Sequence, residues 1–183
     1  MPYIAHLEFN SNGVYAVVPT RYLELFWLVV PIGGVTGIMS FKSGLIGRIY
    51  LLHWVASPRR VDVFRLVEDL GSMRRKVGRP LIALGVVSRN ACEPDLPARA
   101  EMIRNHRIWY ESCESVNVVL QAQGFAATVV RTIMAQITLV ARSGVIKVHP
   151  SVDIAIQRIA RTLDRDPEEL KRQIELTGVL SPA

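Results

Sequence analysis

Between residues 48 and 163 the chain alternates short, almost wholly apolar runs with longer amphipathic segments. The first apolar run, 48–56 (RIYLLHWVA), suits a strand that is covered on both faces. Apolar residues then fall on one stripe at helical spacing over 63–77. Short connections between alternating strands and helices favour right-handed crossovers and a largely parallel sheet. The sequence therefore predicts an α/β fold, with a mixed, mostly parallel sheet flanked by helices and further strands at 81–87, 116–120 and 145–148.

Turn and cap residues mark the ends of the predicted helices. Ser57 and Pro58 have the character of a cap and a first helical residue, and Gly78 ends the helix that follows them. Asp166 followed three residues later by Glu169 is a capping signature and predicts a terminal helix. The other predicted helices cover 98–113, 125–141 and 152–163, the last with Ser151 as its N-cap.

The first 46 residues are less regular and are predicted as a separate extension. Residues 3–9 and 14–18 are β-prone, and the Asn-Ser-Asn-Gly turn at 10–13 between them predicts an N-terminal β-hairpin. The predicted organisation is thus an N-terminal extension at 1–46, an α/β domain at 47–163, and a C-terminal helix and tail at 164–183.

The uncharged segment from Leu25 to Phe41 leaves three alternatives open. Its 17 residues reach the lower limit for a membrane-spanning helix. Pro31 and three glycines in its second half break a helix, so a buried strand followed by a glycine-rich loop is favoured. The third alternative is that Met39 is the natural start and that 1–38 is an upstream extension.

Charge and cysteine content restrict the partners and the compartment. The net charge of +6 permits contact with nucleic acid or an anionic membrane, but the basic residues are scattered. The densest group, 74–76, is typical of a solvated last turn of a helix, so a nucleic-acid partner is not expected. Cys92 and Cys113 lie far apart and fit free thiols in a reducing compartment. The expected location is the cytoplasm.

No motif in the sequence indicates a cofactor, a metal or a catalytic centre. The glycines of 31–37 lack the Lys-Ser/Thr of a phosphate-binding loop, and no HExxH or GxSxG motif exists. Cys113 falls on the buried side of a predicted helix and is expected to be an inert thiol. None of the four histidines has the spacing of a metal pair; they are His6, His53, His106 and His149.

Two sets of residues are candidates for binding. The carboxyl ends of parallel strands carry the functional groups of α/β sheets, which points to a small-ligand site at Ser88, Gln121 and His149. The helix 125–141 has few strongly polar residues, so its outer side is a candidate contact face for a protein partner or a second copy of the chain. The residues of that interaction face are Thr128, Arg131, Ala135 and Thr138, with Ile108 as a second contact point.

The element order resembles the STAS domain, the fold of bacterial anti-sigma factor antagonists and their SpoIIAA-like relatives. In that family a hairpin precedes alternating helices and strands, and the fold closes on a short strand, a polar turn and a helix. Here 145–148, 149–151 and 155–163 match that ending, and the resemblance covers about 48–163. The family's phosphorylatable Asp-Ser-Ser-Gly-type turn is missing from 88–95 (SRNACEPD), so a phosphorylation switch is not implied.

The resemblance implies a non-enzymatic regulatory or protein–protein interaction module of the bacterial cytosol. One alternative is a domain that binds a small apolar molecule, and another is an enzyme of unrecognised type. A deep pocket at the strand ends would favour the ligand-binding alternative. A histidine or cysteine that bonds to an acid in a cleft would favour the enzyme.

Overall fold

The computed structural model describes residues 39–91, 94–121, 128, 132 and 144–181. The described strands are β1 Phe41–Ile46, β2 Ile49–Trp54, β3 Leu81–Val87, β4 Cys113–Leu120 and β5 Ile146–His149. The described helices are α1 Arg60–Val77, α2 Leu96–Arg104, α3 His106–Ser112, α4 Val152–Thr162 and α5 Pro167–Leu176.

The five strands form one sheet in the order β1-β2-β3-β4-β5, so each strand lies beside the one before it in sequence. β1 and β2 form an antiparallel hairpin, and the other neighbouring pairs are parallel. Gly47 has a φ of 58° at the first position of the two-residue hairpin loop, where type II′ turns require glycine. The predicted mixed, mostly parallel sheet is confirmed.

Each face of the sheet is covered by its own set of helices. We call the face under α1, α2 and α3 the front face; its buried residues include Tyr50, Leu70 and Leu81. We call the face under α4 and α5 the back face; its buried residues include Ile82 and Ile159. Because strand side chains alternate between faces, neighbours such as Leu81 and Ile82 belong to different cores.

The folded core extends beyond both ends of the predicted domain. β1 pairs with β2 along its whole length, so the sheet begins at Phe41 and not at residue 47. Its apolar pattern is interrupted by Lys42, Ser43 and Gly44, which concealed the strand. At the other end, the predicted terminal helix and tail are part of the back-face core. Leu170, Ile174 and Val179 are all buried there.

The structure corrects two predicted helix boundaries. The first helix begins at Arg60 and not at Pro58, because the main chain after Trp54 stays bonded to the carbonyl of Ser40. The helix predicted at 98–113 is two helices that meet at Asn105, and Cys113 already belongs to β4. A helix that ends one residue before a strand leaves no loop for sequence patterns to detect.

Three predicted caps are confirmed. Gly78 ends α1 in the left-handed conformation with a φ of 75°. The side chain of Ser151 accepts a hydrogen bond from the main-chain N–H of Ile154 at the start of α4. Asp166 caps α5 by accepting from the main chains of the second and third helical residues.

None of the helices in the described ranges is long and apolar enough to cross a membrane. The predicted hairpin at 3–18 and most of the apolar segment 25–41 lie outside the described residues. The end of that segment, Phe41, is the first residue of β1.

Candidate functional site

The structure places the three predicted ligand-binding residues at one edge of the sheet, where the parallel strands end. The N–H groups of Ser88 and Gln121 extend the ladders beyond β3 and β4, by bonds of 3.0 Å to the carbonyl of Trp54 and 2.9 Å to that of Val87. His149 ends β5. By strand alternation all three point to the back face. His149 is buried and Gln121 is exposed.

His53 joins Ser88 to the C-terminal segment. Its Nδ1 lies 3.0 Å from the carbonyl oxygen of Val179, and its Nε2 lies 2.6 Å from Oγ of Ser88. A carbonyl oxygen can only accept, so Nδ1 carries the proton and the Ser88 hydroxyl donates to Nε2. The ring is 2% exposed. His53 therefore connects β2, β3 and the turn after α5 through a single buried side chain.

His149 makes a similar buried connection. Its Nε2 donates to Oδ1 of Asn117 over 2.9 Å, since an amide oxygen can only accept. The amide nitrogen of Asn117 donates in turn to the carbonyl of Ala83 and to Oγ of Ser115, both at 3.3 Å. This chain of bonds links β5, β4 and β3 behind the sheet edge. His149 is thus a buried strand residue, not an open turn residue.

The hydrogen-bond partners of the two histidines indicate a structural role rather than a catalytic one. Ser88 and His53 resemble the nucleophile and base of a hydrolase, but the third partner is a carbonyl beneath a buried turn. In the described part of the chain neither His53 nor His149 bonds to a carboxylate. The described part of the chain also contains no group of three His, Cys, Asp or Glu side chains that could hold a metal ion. We assign both rings to holding the back face together.

Both histidines should make stability depend on pH. Burial, followed by the charge of Lys42, lowers the pKa of His53 despite the opposing bond to Val179. Burial, then Arg158 and Lys147, lowers the pKa of His149. A lowered folded-state pKa means that the unfolded chain binds more protons, so stability is complete above about pH 6.5 and falls as the pH decreases.

We therefore expect the melting temperature to fall as the pH is lowered from 7.5 to 5. The free energy of unfolding should decrease by at most about 1.4 kcal/mol per pH unit for each proton that the unfolded chain binds in excess. His53→Gln and His149→Gln should each flatten this dependence. Melting curves across that range, with NMR titration of both imidazoles, provide the measurement. A double variant with the slope of the natural chain would contradict this explanation.

Cys113 is buried, as the sequence predicted, although it lies in a strand and not in a helix. It is buried in the front-face core. Burial raises the pKa of its thiol to about 12, against a smaller opposing effect of Arg74. The thiolate that reacts with electrophiles or metals is therefore scarce at neutral pH.

Most of the predicted interaction face on 125–141 lies outside the described residues. Thr128 is exposed, while Arg131, Ala135 and Thr138 are among the residues that are not described. Ile108 is half-buried and packs against the front-face core. Its side chain contributes to that core from α3.

Exposed apolar residues concentrate instead on the outer sides of α1 and α2. Among the described residues, seven large apolar side chains are exposed, and four of them lie on these two helices. Val61 and Phe64 are 45% and 42% exposed on α1, and Ile103 is 42% exposed on α2. Leu96 precedes Ile103 by seven residues and so shares its side of α2. α1 and α2 pack against each other, and Arg60 of α1 bonds to Glu101 of α2 across the pair.

A buried acid holds two arginines between these apolar residues. Glu101 is 2% exposed, and its Oε2 accepts from Nε of Arg60 at 3.3 Å and from Arg104 at 3.0 Å. The two guanidinium-bearing side chains remain 55% and 66% exposed. The guanidinium of Arg60 also lies over the ring of Phe64, 5.3 Å from its centroid. We call Arg60, Val61, Phe64, Ile103 and Arg104 the α1–α2 patch.

A cavity lies beneath the same helices, between them and the front face of the sheet. Its volume is about 90 Å³. The lining is almost entirely apolar and includes Val63 and Val67 of α1 and Trp109 of α3. Among the described residues of the lining, Asn105, where α2 meets α3, carries an amide side chain. On the sheet side the wall includes Leu52, Trp54, Ala83, Gly85, Val116 and Val118.

Sequence reasoning placed the ligand site on the other side of the sheet from this cavity. Ser88, Gln121 and His149 point to the back face, whereas the cavity opens from the front face. The signal for the front side was Gly85, a glycine inside an otherwise apolar strand with larger side chains on both sides of it. The signal for the patch was Val61 and Phe64, which lie off the apolar stripe of α1.

Comparisons of the chain with protein-family models, curated proteins and solved structures give no match.

Proposed function

We propose that this chain is a STAS-like regulatory module that binds another protein through the α1–α2 patch. The proposal rests on the buried Glu101, which holds Arg60 and Arg104 in place at the surface. An arginine whose guanidinium is already fixed loses less freedom when it binds, so more of the contact energy contributes to affinity. Arginine and aromatic residues are enriched in the parts of interfaces that dominate binding energy.

The element order supports the STAS-like part of the proposal. A hairpin, β1–β2, precedes the alternating helices and strands. The short strand β5, the polar turn 150–151 and α4 follow the order that closes the fold in that family. Fold order alone does not specify a function, so the interaction role depends on the patch.

The charge of the patch favours a different protein over a second copy of the chain. A symmetric dimer through the patch would bring two copies of Arg60 and Arg104 together, against two copies of Glu101. Like charges at an interface disfavour that pairing. The fitting partner presents an apolar side chain flanked by carboxylates, which would contact Phe64 and the two arginines.

We expect Phe64→Ser with Ile103→Ser to weaken partner binding by about 30-fold or more, the effect of losing about 2 kcal/mol at an interface centre. The full chain is used as bait, and captured proteins are purified and titrated against both forms by calorimetry. The matched control is Ile154→Ser with Leu176→Ser on α4 and α5, where the natural residues are 46% and 72% exposed.

The control should bind the partner as the natural chain does. The free energy of unfolding of every variant should lie within about 0.5 kcal/mol of the natural value, as is usual for surface substitutions. Equal binding by the patch variant and the control would refute the proposal. Light scattering over a wide concentration range tests self-association. If the chain forms a dimer and the patch substitutions dissociate it, the partner of the patch is a second copy of the chain and not a different protein.

A further inference from the structure

We infer that the front-face cavity binds a small apolar molecule and that its occupancy changes the α1–α2 patch. The second part rests on the proposed function, because it concerns regulation of the same surface. The first part concerns the cavity alone and can be tested without any partner.

The size and lining of the cavity define the class of ligand. Its 90 Å³ is about three times the volume of a water molecule in the liquid. A buried water needs two to four polar partners, and the amide nitrogen of Asn105 is already engaged with Glu101. Apolar cavities of about 150 Å³ take benzene or xenon. This cavity is smaller, so xenon, a hydrocarbon of about three to five carbons or the apolar end of a longer molecule matches it, and benzene enters with a small outward shift of the lining side chains.

Gly85 provides part of this space. It lies in the middle of β3, and a Cβ placed on it would meet only the carbonyl oxygen of Asn117, at 4.0 Å. A side chain here would thus enter the cavity without a clash with the backbone. Branched residues suit a strand better than glycine does. Glycine at this position sacrifices strand stability and core packing, and it keeps the cavity open.

A chain of hydrogen bonds connects the cavity to the patch. The amide nitrogen of Asn105 donates to the main-chain oxygen of Glu101 at 3.0 Å and to its Oε1 at 2.7 Å. The other carboxylate oxygen of Glu101 accepts from Arg60 and Arg104. A ligand that displaces Asn105 would therefore reorient the carboxylate that fixes both arginines.

The first experiment follows xenon and benzene binding to the full chain by NMR. We expect saturable shifts of the assigned Trp109 indole and Asn105 amide signals. Gly85→Val should weaken benzene binding by at least 10-fold, and Gly85→Ala by less, in the order of the volume they fill. Gly71→Ala is the control, since its added Cβ on α1 meets only the end of the Arg75 side chain at 3.5 Å.

Unchanged benzene binding by folded Gly85→Val and Gly85→Ala would overturn the site.

The second experiment tests the coupling through the Nε signals of Arg60 and Arg104. In the natural chain these signals should shift as benzene saturates the cavity. In Asn105→Ala the Trp109 signal should still respond while the arginine signals no longer do.

Arginine signals that stay fixed in the benzene-saturated natural chain would overturn the coupling and leave the ligand site intact. Failure of the proposed function has a separate signature. In that case partner binding would not depend on Phe64 and Ile103 even with the cavity empty. A partner affinity that changes at least threefold with benzene in the natural chain, but not in Gly85→Val, would support both parts together.

Discussion

A chain that ends at Leu163 is expected to be largely unfolded at 25 °C. The truncation removes α5 and the turn after it, and with them the burial of Leu170, Ile174 and Val179. Burying each such side chain contributes about 1.5–3 kcal/mol, so the loss is about 5–9 kcal/mol. Domains of this size are stable by only about 5–15 kcal/mol in total. Far-ultraviolet circular dichroism and urea titration provide the measurement.

Point substitutions give the graded form of this prediction. Leu170→Ala, at a fully buried position, should cost about 2–5 kcal/mol. Leu176→Ala on the same helix, at a position 72% exposed, should change stability by less than about 0.5 kcal/mol. A truncated chain with the urea midpoint of the full chain would show that α5 is an appendage and not part of the core.

Asp62→Asn is expected to lower the free energy of unfolding at pH 7 by about 2–4 kcal/mol. The carboxylate is fully buried, accepts from Oγ of Ser40 at 2.7 Å, and accepts from Nε and the main-chain N–H of Arg59 at 3.0 and 3.2 Å. These bonds join the start of α1 to the segment before β1. These three donors share Oδ2, and Nη2 of Arg59 donates to Oδ1 at 3.3 Å. Asparagine replaces one of the two oxygens with an NH₂ group, which faces a donor in either orientation.

The pH dependence of this loss identifies its origin. Burial alone would raise the pKa of Asp62, but the hydrogen bonds from Arg59 and Ser40 and the charge of Arg59 outweigh it, so the pKa is lowered. The carboxylate therefore stabilises the fold fully above the unfolded-state pKa of about 3.9, and this contribution disappears as the pH falls through the folded-state value. Urea titrations at pH 7 and pH 3 should show the difference between natural and variant chains shrinking.

Asp153→Asn is the matched control. Asp153 pairs with Lys171 at 2.8 Å, but its side chain is 62% exposed. Exposed ion pairs contribute about 0–1 kcal/mol, so this variant should remain close to the natural chain at both pH values. A loss in Asp62→Asn that is no larger than in Asp153→Asn would rule out a special role for the buried acid.

The sheet was predictable because its strands are buried on both faces. The run at 81–87 is apolar at every position and the run at 48–56 is nearly so, and no alternation of apolar and polar residues competes with that interpretation. β1 was not predictable in the same way. Two of its back-face residues, Gly44 and Lys42, lie against the C-terminal turn at Val179 and Ser181, so a small and a charged residue are tolerated there. The pattern of an edge strand depends on a partner that lies more than 130 residues away.

The candidate sites were less predictable because they depend on which face a residue occupies. Strand ends correctly grouped Ser88, Gln121 and His149 at one edge, because the ladder fixes their order. The ligand-binding role given to these three residues remains a prediction. In the sequence, Glu101 is one of several charged residues on its helix. It is buried because α1 supplies Arg60 across the helix pair, and a single sequence shows no sign of that contact.

The strand order β1-β2-β3-β4-β5 has a consequence for how the chain folds. In the part of the chain that the structure describes, each ladder joins strands that are consecutive in the sequence, so the sheet can grow one unit at a time as each crossover closes. The bond from His53 to the carbonyl of Val179 joins residues 126 positions apart in the sequence, so it forms only when the turn after α5 has packed against the sheet. We therefore expect the last turn to join the structure after the folding transition state, and substitutions at Val179 to speed unfolding more than they slow folding.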